Sequence, residues 1–157
     1  MSLYTLYFDS PIGVLEIKTD DYSLLSVLIV GKKEKSSRVV PLIIRETYKQ
    51  LNEYFEGNRT GFNLRILLEG TDFQKKVWNQ LLNIPYGEIN TYKGIAEKVG
   101  NIKASRAVGN ANNKNKLLII IPCHRVIGSD GKLNGYREGT DKKEWLINHE
   151  RTTIKNI

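Results

Sequence analysis

Cysteine is almost missing from this chain: Cys123 is the only one in 157 residues. A lone thiol excludes an internal disulfide framework and suits a reducing compartment, so we expect the cytoplasm. No apolar run is long enough to span a membrane. The first residues, Met1–Asp9, lack the basic region and small-residue cleavage site of a signal peptide. Internal repeats and low-complexity tracts are also missing. What remains is a chain of ordinary globular composition, long enough to bury a core as one domain or as two small ones.

Acidic residues are divided evenly, 8 in residues 1–68 and 9 in residues 69–157, but the basic ones are not, at 9 and 15. Residues 1–68 carry a net charge of +1 and residues 69–157 a net charge of +6. The basic excess lies with the cysteine, as expected of a half that meets a polyanion. The cysteine itself sits in Leu117-Leu118-Ile119-Ile120-Ile121-Pro122-Cys123-His124-Arg125-Val126-Ile127. Pro122 fixes the backbone before the thiol, apolar flanks predict burial, and Arg125 beside it is expected to favour the thiolate.

The first third reads as strands at Leu3–Phe8, Ile12–Thr19 and Leu24–Val30, each rich in β-branched or aromatic residues and bounded by turn residues. A helix is predicted from Pro41, with Ile44, Tyr48, Leu51 and Phe55 on its inner face and Gly57 as its stop. Phe62–Leu68 is a further candidate strand. Glu69-Gly70-Thr71 marks a junction, dividing the chain into domains 1–68 and 69–157. Thr71 and Gln74 have capping-box spacing ahead of Phe73, Val77, Trp78, Leu81 and Leu82.

Two short helices follow, Tyr92–Val99 and Ala104–Asn112, around Gly100-Asn101-Ile102-Lys103. In a basic half this spacing suggests a helix-turn-helix. The second helix presents Ala104, Ser105, Ala107, Gly109 and Ala111, all small, with Arg106 among them. Gly109 costs about 1 kcal/mol in a helix interior, which the close approach of nucleic acid or of another helix would offset. The last helix is predicted over Asp141–Arg151, with Asp141 and Glu144 at capping-box spacing and Trp145, Leu146 and His149 inward. Glu150 shares that apolar side and needs a partner, for which His124 and the arginines are the candidates.

Consecutive side chains on an extended backbone face opposite ways, so His124 is expected to act on Cys123 through a bridging water. Glu150 could then fix the imidazole tautomer. A cysteine hydrolase would need a base beside the thiol and an oxyanion hole, which the sequence does not suggest. A zinc site of Cys123, His124, His149 and Glu150 matches no structural-zinc spacing.

Taken together, Ile121-Pro122-Cys123-His124-Arg125-Val126, Gly135-Tyr136-Arg137, Glu144-Trp145-Leu146 and His149-Glu150 resemble the O6-alkylguanine-DNA alkyltransferases. Upstream, Pro85-Tyr86-Gly87-Glu88, Thr91-Tyr92 and Ser105-Arg106-Ala107-Val108-Gly109 fit the same family. The resemblance implies an α+β protein: a small RNase H-like N-terminal domain followed by a helical C-terminal domain with a helix-turn-helix. It implies irreversible transfer of the alkyl group of O6-methylguanine, and of O4-methylthymine as a further substrate, to Cys123 after the base is flipped out of the duplex.

By the same resemblance His124 acts through water, Glu150 orients it, and Tyr92 donates towards N3 of the leaving guanine. Arg106 fills the gap left by the flipped nucleotide, with Ala104, Ser105, Ala107 and Gly109 against the minor groove. Asn115 ties the helix-turn-helix to the active-site turn, while Pro122, Arg125, Tyr136 and Arg137 border the substrate pocket. The implied partner is double-stranded DNA with little sequence preference, met by a monomer with no cofactor, metal or membrane. Where prokaryotic members commonly carry tryptophan after Gly-Tyr-Arg, this chain has Glu138, a departure that bears on pocket shape. Residues 1–70 contain no Cys or His, so the N-terminal zinc site of some members has no ligands here. The related alkyltransferase-like proteins, which only bind lesions, replace the cysteine by tryptophan.

Overall fold

The computed structural model describes residues 2–133 and 135–156; Met1 and Ile157, the outer limits of the two expected domains, lie outside that range. The chain forms two compact units, Met1–Leu68 with Lys116–Ile120, and Glu69–Asn115 with Ile121–Ile157.

In the first unit β1 (Tyr4–Ser10), β2 (Gly13–Thr19) and β3 (Leu24–Val30) form an antiparallel sheet in that order. Alternation sets its register: Phe8 faces Leu15 across the β1–β2 pair, and Phe8, Leu15 and Ile17 are all buried. Helix α1 (Leu42–Phe55) begins after Pro41, whose φ of −74° suits a helix entry, and stops before Gly57 at φ 79°.

The inner face of α1 is Ile44, Thr47, Gln50, Leu51 and Tyr54, whereas Tyr48 is 41% exposed. This corrects the predicted stripe. Gln50 turns inward because its amide satisfies both backbone groups of Asn63, donating to the carbonyl at 3.1 Å and accepting from the N–H at 2.9 Å.

Phe62–Leu68 is not a strand. It makes a single parallel bridge, Ile66 with Leu24. Lys116–Ile120, expected in the C-terminal domain, instead runs along β3. Val27 donates to the Lys116 carbonyl at 2.8 Å, and Leu118 donates back to Val27 at 3.1 Å. Hydrophobic alternation does not reveal which sheet edge a run joins.

In the second unit α2 (Asp72–Leu81) starts on the Thr71–Gln74 capping box, with both reciprocal bonds formed. It buries Val77, Trp78 and Leu81. Strand β4 (Asn90–Thr91) leads into α3 (Tyr92–Lys98), and α4 (Ser105–Asn113) follows after Gly100 at φ 89°. The Trp78 indole donates to the Ala111 carbonyl at 2.9 Å, tying α4 to α2.

A short 3-10 turn, Cys123–Arg125, precedes β5 (Val126–Ile127), which pairs in parallel with β4. Helix α5 (Thr140–Lys155) completes the unit. Its N-cap is Gly139 at φ 112°, with no side-chain cap bond, so the predicted Asp141–Glu144 box does not form. The helix begins one residue earlier and ends four later than expected. Among the described residues no helix is long and apolar enough to cross a membrane.

Candidate active site

The thiol stretch is buried throughout, at every residue from Leu117 to Ile127. Cys123, 2% exposed, opens the 3-10 turn, and its amide donates to the Ile121 carbonyl at 2.7 Å. The backbone here is therefore turned, not extended as predicted. Successive side chains diverge by about a third of a turn in such a helix, so Cys123 and His124 still point apart.

His124 is fully buried and its Nε2 lies 2.7 Å from Glu150 Oε2. The Glu150 carboxylate also accepts from Arg125 Nε at 2.8 Å and Nη2 at 3.1 Å, and from the Gly87 amide at 3.2 Å. Burial alone would push the Glu150 carboxyl up; hydrogen bonds and charge from His124 and Arg125 hold it well below the usual carboxylate range. Burial lowers His124 below its ordinary value against the pull of Glu150. A neutral imidazole donating Nε2–H to a carboxylate leaves Nδ1 as the basic atom, and Nδ1 has no hydrogen-bond partner among the described residues.

Arg125 serves Glu150 and the Ile84 carbonyl, to which Nη1 donates at 2.7 Å, and lies over the Tyr86 ring at 5.6 Å. Its charge is engaged there and does not prepare a thiolate. Burial pushes the Cys123 thiol up to about 11, opposed by a hydrogen bond from Asn115 and by the charges of Lys143 and Arg137. The resting nucleophile is therefore the thiol.

Asn115, 2% exposed, donates from Nδ2 to the Ile121 carbonyl at 2.9 Å. Asn112 on α4, 1% exposed, donates to the Cys123 carbonyl at 3.3 Å. Sequence reasoning missed Asn112, although it lies on the side of α4 that carries the buried Val108 and Ala111 and precedes Asn115 by three residues.

Tyr92 opens α3. Burial raises its hydroxyl to about 12, so it remains a proton donor throughout the physiological range. A Cβ on Gly135 would stand 2.6 Å from that hydroxyl, which fixes glycine there; the φ of 79° requires it independently. Lys143 was also missed. It is fully buried on α5, and its Nζ donates to the Val126 carbonyl and, at 3.5 Å, to Tyr92 Oη. Burial lowers its ammonium to about 8.

Tyr136 is 7% exposed, and Arg137 Nη2 donates to the Asn115 carbonyl at 3.4 Å. Cys123, His124, Glu150, Tyr92, Asn115, Tyr136 and Arg137 thus converge in the second unit. Pro122 caps the thiol turn. On α4, Arg106, Ala107 and Asn110 are exposed while Val108, Ala111 and Asn112 are buried. Ala104, Ser105 and Gly109 are half-buried, and a Cβ on Gly109 would lie 3.9 Å from the Tyr92 ring. Gly109 therefore neighbours a helix, with room to spare. Among the described residues no group of three His, Cys, Asp or Glu could hold a metal ion.

Comparison with known proteins covers nearly the whole chain. The DNA-binding domain of 6-O-methylguanine DNA methyltransferase matches residues 72–152, and the ribonuclease-like domain of the same family matches residues 3–68. A methylated-DNA–protein-cysteine methyltransferase of Methanosarcina acetivorans is 47% identical over 155 residues, covering 94% of this chain and 98% of the relative. The crystal structure of the Mycobacterium tuberculosis O6-methylguanine methyltransferase matches with a TM-score of 0.87 at 40% identity, over 97% of this chain and 94% of that one. A second M. tuberculosis structure, a complex with DNA, matches with a TM-score of 0.85 at 41% identity, over 94% and 92%. An α+β chain with these two domain matches, and relatives of this identity along nearly its full length, belongs to the 6-O-methylguanine DNA methyltransferase family.

Proposed function

We propose that this protein repairs DNA by moving the alkyl group of O6-alkylguanine onto Sγ of Cys123, once per molecule. The observation that carries the assignment of residues is the His124–Glu150 pair behind the single thiol, with a basic Nδ1 left over. The thiol proton passes through one water to His124 Nδ1 while sulfur attacks the alkyl carbon in line. The S–C bond forms as the C–O6 bond breaks, and the electron pair leaves with guanine. Tyr92 hydrogen-bonds N3 of the departing base and supplies its proton. The imidazolium made at His124 is stabilised by the Glu150 carboxylate. Atoms and charge balance within these groups, so the reaction draws on no cofactor. The product is a thioether that nothing in the site can cleave, which makes the protein single-turnover.

A base in the stack cannot be attacked in line, so it must rotate out at a cost of a few kcal/mol. Arg106 on the exposed side of α4 replaces it in the stack. The small residues Ala104, Ser105, Ala107 and Gly109 suit the narrow minor groove, whose degenerate edges agree with weak sequence preference. Pro122, Tyr136 and Arg137 border the base, whereas Arg125 supports Glu150 from outside the pocket. O4-methylthymine presents its alkyl group on an equivalent exocyclic oxygen and is a second substrate. We assign the chemistry to the domain from residue 69 onward and a supporting role to residues 1–68. We take the protein to act as a monomer, and the lone thiol supports a cytoplasmic site.

Intact-protein mass spectrometry after mixing with a duplex holding one O6-methylguanine tests this. A gain of one methyl on the Cys123 peptide, saturating at one per protein, is expected. Bound duplex with no mass change would make the protein a lesion binder.

A further inference from the structure

Beside the thiol the chain places two opposite charges next to each other. The turn Tyr136–Gly139 is closed by the Gly139 amide, which donates to the Tyr136 carbonyl at 3.1 Å. It drives the Tyr136 ring inward, where its hydroxyl has no hydrogen-bond partner among the described residues. That hydroxyl is within electrostatic reach of the Cys123 sulfur, the Glu138 carboxylate and the Arg137 guanidinium.

Arg137 joins these groups. Its Nε donates to Glu138 Oε1 at 3.0 Å and its Nη2 to the Asn115 carbonyl at 3.4 Å, while the Asn115 side chain reaches the Ile121 carbonyl two residues before the thiol. The two side chains are not equally placed: Arg137 is 43% exposed and Glu138 16%. An exposed ion pair contributes little stability, so pairing alone does not account for a carboxylate drawn in beside a buried phenol.

We propose that Glu138 tunes the charge of the space that receives the transferred group, offsetting Arg137 so that the site favours uncharged alkyl groups over anionic ones. The inference rests on the alkyl-transfer reading above. With Glu138 present, Arg137 adds no net charge to that of the Lys143 ammonium, which also acts on the thiol. An O6-carboxymethyl group, the simplest anionic alkyl substituent, meets a carboxylate whose neutralising partner is already engaged. Without Glu138 the Arg137 charge, which already acts on the thiol, is unpaired and would attract the same group.

The test compares rates of alkyl transfer from two duplexes identical except for O6-methylguanine or O6-carboxymethylguanine. The readout is the carboxymethyl-to-methyl ratio within each variant, which does not depend on the fraction of folded protein. Glu138→Gln should raise the ratio about tenfold, the scale of one unit charge several ångströms away at a protein surface. Arg137→Gln should lower it, since Glu138 would then stand uncompensated, and this arm decides the matter if Glu138→Gln does not fold. A ratio unchanged in Glu138→Gln, or moved the other way, overturns the proposal. Failure of the unaltered protein to accept methyl would instead sink the alkyl-transfer reading itself.

Discussion

His124 Nε2 lies 2.7 Å from Glu150 Oε2, and both side chains are buried. The carboxylate is held charged by that bond and by Arg125, so removing it strands a guanidinium and an imidazole in the interior. Loss of one member of a buried pair costs about 3–5 kcal/mol. Glu150→Gln should therefore lower urea stability at pH 7 by about 3 kcal/mol. A carboxyl with a depressed native pKa contributes stability above its unfolded value of 4.5, and loses it as pH falls towards the native one. The gap between wild type and variant should close below about pH 4.5. A gap independent of pH would show that Glu150 is not ionised in the native state.

Lys143 carries the opposite sign. Its ammonium is buried and lowered from 10.5 to about 8. The native state is penalised below pH 8 and relieved as pH rises to 10.5, by about 3 kcal/mol over that window. Lys143→Met has no such titration. Unfolding measured from pH 7 to pH 10.5 should show wild type gaining on the variant by about this amount. Alkyl transfer by the variant should be slowed, because Tyr92 Oη loses a donor at 3.5 Å. Parallel stability curves would mean that the lysine titrates in the native state as it does in the unfolded one.

The contrast between these two residues shows what a sequence can carry. Glu150 was legible because it falls four residues after Leu146 on a helix whose apolar side could be counted. The Thr71–Gln74 box was legible because both partners are local. Lys143 was not legible. A lysine on a helix reads as solvated, and it is buried only because the two-residue pairing of β4 with β5 brings Tyr92 and Val126 together. Arg125 was misjudged for a related reason. Adjacency to Cys123 in sequence counted for less than a carboxylate that arrives from α5. Gly139 likewise displaced the Asp141–Glu144 cap, since its positive φ sets the entry of α5 before Asp141 is reached.

Gly109 separates two accounts of the small-residue face of α4. Its added Cβ would lie 3.9 Å from the Tyr92 ring, an ordinary contact. Gly109→Ala should therefore stabilise the free protein by about 0.5–1 kcal/mol, through helix propensity. If α4 enters the minor groove, the same methyl should weaken duplex binding, measured by anisotropy at fixed salt. The two effects are expected to have opposite signs. Tighter or unchanged binding would show that Gly109 does not approach DNA.

Arg106 sits at the start of α4 on its exposed side, beside Ala107 and one turn before Asn110. None of the bonds that build the thiol site involves it, so under the proposed function its contribution is expected on the duplex alone. Flipping costs a few kcal/mol of lost stacking and pairing, and under the proposed function a guanidinium in the vacated position would offset part of that. Free O6-benzylguanine needs no flipping. Arg106→Ala should thus lose at least about tenfold more rate on an O6-methylguanine duplex than on the free base, consistent with roughly 1.4 kcal/mol of flipping support. The duplex deficit should shrink when the lesion is placed opposite an abasic site, where pairing is already lost. Equal losses on duplex and free base would assign Arg106 to general packing of α4, and a deficit that persists opposite the abasic site would assign it to phosphate binding.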